Sequence, residues 1–118
     1  MPVYDEVIDT TMLEGLEEAL GDEIVEIVEF FLSDLDGQLE ELKDALASED
    51  MEQIRRRAHA LKGSASNLGA LGLSDLARQI GQSAHEGEPA PCEIVAQLDP
   101  MAERTKTLLE QRYAFSPS

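Results

Sequence analysis

Tryptophan is absent from this chain of 118 residues, aromatics make up only 4% of it, and cysteine occurs once, at Cys92. A lone cysteine excludes an internal disulfide, and the sequence holds no zinc-like Cys/His cluster. No apolar run is long enough to span a bilayer and no secretory hydrophobic segment is present. The apolar/polar alternation of a half-buried strand is missing as well. Lys and Arg do not occur in residues 1–42, and the formal net charge is −16, which opposes contact with nucleic-acid phosphates. Glycines occur in GSASNLGALG, but without the GxxxxGK[ST] order of an ATP-cradling loop. What is left is a protein expected to be cytoplasmic, with no membrane or nucleic-acid partner.

Ala, Leu, Glu and Asp dominate, a composition that favours helices, and the length suits one domain over residues 1–118. Asp9 or Thr10 can cap a short first helix over 11–20, stopped by Gly21. Ile24, Val28, Phe31, Leu35, Leu39, Leu42 and Leu46 then recur at steps of three and four, one apolar stripe on a helix over about 22–48. Ser48, Glu49 and Asp50 offer turn and cap chemistry before a third helix. There Ile54, Ala58, Leu61, Ala65 and Leu68 continue the spacing, and Gly69 and Gly72 bracket the expected end. A fourth helix is predicted over 74–84, with Leu73, Leu76, Ala77 and Ile80 inward. HEGEPAP is loop by composition. Ile94, Leu98, Met101, Thr105 and Leu108 form the last stripe. Asp99-Pro100 inside it should kink the helix or restart it with Asp99 as cap. Helices joined by short loops imply an all-α fold: an antiparallel up-down-up-down four-helix bundle with a short additional N-terminal helix. Its core covers about 22–113, with tails at 1–8 and 115–118.

The stretch AHALKGSASNLGA, residues 58–70, carries the chemistry. With Ala58 and Leu61 inward, His59 points about 100° away, and Lys62, Gly63 and Ser66 lie within about 60° of its direction. Arg55 and Arg56 precede it by a turn. Four of the nine basic residues fall in positions 55–62, a basic island able to receive an anion. An exposed imidazole is a nucleophile at physiological pH, and a lysine one turn on can offset charge on a phosphoryl group. Gly63 weakens the helix by about 1 kcal/mol relative to alanine. Either a neighbouring helix packs closely there, or an approaching partner needs the space. Phe30, off the main stripe, is a candidate for partner contact. His85, near a helix end, and Cys92 carry no catalytic signal.

The same stretch resembles the signature of the histidine-containing phosphotransfer (HPt) domain, roughly H-x-L-K-G-S-[SA]-x-x-[LIV]-G, matched by His59, Leu61, Lys62, Gly63, Ser64, Leu68 and Gly69. EFFLSDL with DGQLEELKDAL resembles the helix before the signature, and LSDLARQIGQSAHEG the helix after it. The resemblance implies a phosphorelay intermediate without ATP-binding or autokinase activity. His59 would accept a phosphoryl group from a receiver-domain phospho-aspartate and pass it to another receiver, Lys62 would stabilise it, and Gly63 would leave room for docking. Ser64 and Ser66 are further contact candidates. Magnesium is expected on the receiver and no cofactor or metal on this chain. Receiver domains of response regulators or of a hybrid histidine kinase are the implied partners, with this chain a monomer and, from its initial Met and length, a stand-alone protein. Some family members orient the imidazole through a Gln or Glu on the following helix. An ungapped count puts Gly81 there, with Gln79 and Gln82 nearby.

Two alternatives compete: a helical adaptor that binds a receiver or kinase without carrying phosphate, and a bundle-core metalloenzyme. The first is disfavoured by the intact His59-Lys62-Gly63 set, and the second lacks the Glu-x-x-His register it needs.

Overall fold

Asp9 begins the regular structure: its carboxylate accepts the Met12 N–H at 3.1 Å and caps helix α1, Thr10–Leu20. In the computed structural model, which describes residues 7–113, five further helices follow: α2 Glu23–Ser48, α3 Met51–Asn67, α4 Leu71–His85, α5 Cys92–Val95 and α6 Leu98–Tyr113. Among the described residues there is no strand. Helix α3 packs most extensively on α4 and, on its other side, on α2; α6 closes the ring between α4 and α2. Helix α1 lies on α2, and the short α5 leans on α4. No helix among these is long and apolar enough to cross a membrane.

The tight turns that reverse the chain share one device. At the end of α3, Ala70 N–H donates to Ala65 O at 2.8 Å and Gly69 N–H to Ser66 O at 3.1 Å, with Gly69 at φ +69°. This pair of bonds satisfies two carbonyls left open by the helix end. The end of α2 repeats it with Glu49 at φ 57°, Asp50 N–H reaching Ala45 O at 3.3 Å. Asp50 then caps α3 by accepting from Gln53 N–H at 3.2 Å.

The stripes meet in one core. Leu35, Leu42, Leu61, Leu73, Ile80, Leu98 and Leu109 are fully buried, each worth about 1.5–3 kcal/mol relative to exposure. Ala58, Ala65 and Ala77 are buried as well and keep α3 close to α4. Among the described residues, four interhelical ion pairs surround this core: Lys43–Asp99, Arg57–Glu41, Lys106–Asp36 and Arg112–Glu17.

Several local expectations are corrected. Ala45 is buried where Leu46 is only partly so, and Leu109 replaces Leu108 at the centre of α6. Gly72 lies inside α4, which starts at Leu71, and its missing side chain makes room for Met101. Pro100 neither kinks α6 nor follows a cap. The break lies at Ala96–Gln97, and Pro100 sits in the first turn, where no N–H is required of it. Asp99 instead pairs with Lys43 at 2.9 Å. Of the expected N-terminal tail, Val7 is 3% exposed and its carbonyl accepts from Gly72 N–H, while Asp9 N–H donates to Gly69 O at 2.7 Å. These bonds sew the chain start to the α3–α4 turn. Ile8 is partly buried against the core, while residues 1–6 of that tail and the expected tail 115–118 lie outside the described residues.

Candidate functional site

Because Ala58 and Leu61 are buried against α4 and α2, the turn of α3 that carries them presents His59 outward at the α3–α4 seam. The side chains of Arg55, His59 and Lys62 form one wall of an open cleft of about 170 Å³. The other wall is α4, contributing Ala77, Arg78, Gly81 and Gln82. Small residues make its floor: a Cβ on Gly81 would stand 3.4 Å from Ala58 Cβ, ordinary contact between closely set helices.

The charges in the cleft are unequal in commitment. Arg55 donates to Glu52 at 3.0 Å, and Arg78 to Asp75 at 2.7 Å, each within its own helix. Arg55, through its hydrogen bond first, and Arg56 hold the Glu52 carboxyl below its ordinary range. Lys62 has no carboxylate in ion-pair reach among the described residues, although acidic groups number 25 against 9 basic ones. Neither ring nitrogen of His59 has a hydrogen-bond partner among the described residues. The imidazole is exposed, and it lines the same cleft as an ammonium group with no carboxylate in reach among the described residues.

Gly63 decides between its two explanations. A Cβ there would meet nothing within 4 Å, so no neighbouring helix demands the glycine. The space beside His59 is open to solvent.

The other candidates scatter. Arg56 pairs with Glu52 at 3.3 Å and does not line the cleft. Ser64 accepts from Gln38 Nε2 at 3.2 Å and lines, with Phe30, Ile27 and Asp34, a second depression between α2 and the end of α3. Phe30 is 70% exposed there. Ser66 shares a 2.7 Å hydrogen bond with Ser74 and ties α3 to α4. Gln79 does not reach His59: it donates to Asp75 at 2.8 Å on another face of α4. Gln82 lines the cleft, but its Nε2 is bound to Glu86 at 2.8 Å. Sequence reasoning missed Arg78. It stands three residues before Gly81 and four before Gln82, on the same face of α4, which the helical i,i+3/i,i+4 rule would have shown. Among the described residues no group of three or more His, Cys, Asp or Glu is arranged to hold a metal ion.

A family model described as the Hpt domain matches residues 26–111, well over half the chain. The chain belongs to the Hpt-domain family. It is a phosphotransfer intermediate of two-component phosphorelays, a phosphocarrier and not a kinase, of the kind that interacts with receiver domains and kinases. Among its relatives is the phosphorelay protein LuxU of Vibrio vulnificus strain YJ016, 33% identical over 97 residues, covering 80% of this chain and 84% of that protein. The same protein from strain CMCP6 matches equally. Among solved structures, histidine-containing phosphotransfer protein B of Pseudomonas aeruginosa PAO1 superposes with a TM-score of 0.85 at 27% identity, covering 94% of this chain and 97% of that one. The Hpt domain of a Shewanella sensor hybrid histidine kinase shares the fold at a TM-score of 0.77 and 14% identity, over 95% and 97% of the two chains.

Proposed function

We propose that His59 is the phosphoryl acceptor and donor of this Hpt-domain protein, with Lys62 as its charge partner. The observation that carries this is an exposed imidazole without a hydrogen-bond partner among the described residues, beside a Lys62 that has no carboxylate in reach among them, in an otherwise strongly acidic chain. In the forward step a ring nitrogen of neutral His59, by preference Nε2, attacks phosphorus of a receiver's phospho-aspartate. The P–N bond forms as the acyl-phosphate P–O bond breaks, and the aspartate leaves as carboxylate. The ring keeps the proton on its other nitrogen and becomes a phosphorylated imidazolium. Reversal onto a second receiver's aspartate restores neutral His59. Lys62 offsets the charge of the transferring group, and the open space at Gly63 admits the receiver's active-site face. Phe30, Ser64, Arg55 and Arg56 supply further contacts to that face in this reading. The receiver supplies the magnesium ion and most of the catalytic apparatus, and ATP is not a substrate. The protein acts as a cytoplasmic monomer.

Incubation with a receiver domain carrying labelled phospho-aspartate tests this. Label should move to the wild type and not to His59→Gln. Wild type that binds the receiver without ever taking label would instead make the protein an adaptor.

A further inference from the structure

The cleft has a second wall, and the phosphotransfer reading gives that wall no role. Arg78 stands on it, across from His59 and Lys62. Its guanidinium donates from Nη2 at 2.7 Å and Nε at 3.3 Å to a single oxygen, Oδ1 of Asp75. Both side chains of this pair are more than half exposed, at 57% and 54%, so water screens it and its release is cheap. Asp75 would not be stranded by that release, because Gln79 already donates to its other oxygen at 2.8 Å. The imidazole, for its part, has no hydrogen-bond partner on α4: Gly81 offers no side chain, and the amide of Gln82 is held by Glu86.

From this arrangement we infer that Arg78 is a phosphoryl-binding residue, which leaves Asp75 and closes over the phosphoryl group when His59 carries one. The inference rests on His59 being the acceptor. A phosphoryl dianion offers three acceptor oxygens to a planar five-donor fork, a better match than one exposed carboxylate oxygen. Lys62 meets the group from its own helix and Arg78 from the facing one, so the phosphoryl group is held from both sides of the seam. Asp75 then acts as a competitor, holding Arg78 aside while His59 is free. Arg78 thereby sets the balance between phosphorylated carrier and phosphorylated receiver.

The test is the equilibrium constant for exchange between a labelled receiver and this chain, measured for wild type, Arg78→Gln, Arg78→Lys and Asp75→Asn. Arg78→Gln should shift label towards the receiver by about fivefold. Arg78→Lys should recover part of the loss, and Asp75→Asn should shift label towards His59. The Arg78 Nε–H resonance of the wild type should also move when phosphoramidate phosphorylates the protein with no receiver present. Equilibrium constants equal to wild type in Arg78→Gln and Asp75→Asn, with label still lost in His59→Gln, would overturn the role of Arg78 and leave the acceptor intact. Label persisting in His59→Gln would instead remove the acceptor on which the inference rests. Should Arg78→Gln lose its helical circular dichroism, the opposite shift in Asp75→Asn and the Arg78 resonance decide the matter.

Discussion

Replacing Gly63 by alanine should make this protein more stable and worse at phosphotransfer, two effects of opposite sign from one methyl group. Gly63 lies in the interior of α3 without a positive φ, and a Cβ there meets nothing within 4 Å. Nothing in the fold opposes the substitution, so helix propensity acts alone and contributes about 0.5–1 kcal/mol. For a chain of 118 residues that raises the melting temperature by about 2–4 °C. If the open space is where a receiver docks, the same methyl enters a close-packed contact, at a cost of about 1–3 kcal/mol. Transfer should then slow by about fivefold to 150-fold. Thermal melts followed by circular dichroism and single-turnover transfer from a labelled receiver read the two effects separately. Gly15→Ala is the control: it too has open space around its position, in α1, and should stabilise without slowing transfer. A Gly63→Ala protein that is stabilised but transfers at the wild-type rate would refute the clearance role. One that is destabilised would refute the open space itself.

Other expectations concern the frame around the site. Glu49 holds the left-handed position at the end of α2, so Glu49→Gly should raise stability by about 1 kcal/mol in urea unfolding. Gly69→Ala should lower it by about 1–2 kcal/mol, because φ is +69° and Asp9 O would lie 3.2 Å from the new Cβ. Hydrogen bonds from Arg112, then Tyr113, hold the Glu17 carboxyl below its ordinary range despite an opposing effect of burial. A carboxyl depressed in the folded state contributes stability above its unfolded pKa and loses it as pH falls through the folded one. Glu17→Gln should therefore cost about 0.5–1 kcal/mol at neutral pH, given a side chain about one-third exposed. The gap to wild type should close on acidification below the ordinary carboxylate range, as pH-dependent melts would show.

The parts of this fold legible in the sequence are those set by local period. Ile24, Val28, Phe31, Leu35, Leu39 and Leu42 are all buried, as are Ile54, Ala58, Leu61, Ala65 and Leu68, because a 3.6-residue repeat fixes one face irrespective of what covers it. The same geometry put His59, Lys62 and Gly63 on one outward strip. What could not be read is how neighbouring helices are rotated and staggered against each other. That rotation sends Ser66 to Ser74 and Ser64 to Gln38. It also burial-matches Leu109 instead of Leu108, one residue off a stripe that the break at Ala96–Gln97 had reset. Gly72 was misplaced for a related reason: its neighbour is Met101, distant in sequence.

The central claim is that one imidazole carries the phosphoryl group, and isolation of the loaded protein tests it most directly. The wild type is phosphorylated by a labelled receiver with magnesium and without ATP, freed of receiver, and digested. The account predicts a single acid-labile, base-stable phosphopeptide whose modified residue is His59, and loss of its label to fresh receiver. Label on His85 or on a carboxylate, or a phosphopeptide that will not return its phosphoryl group to a receiver, would contradict it.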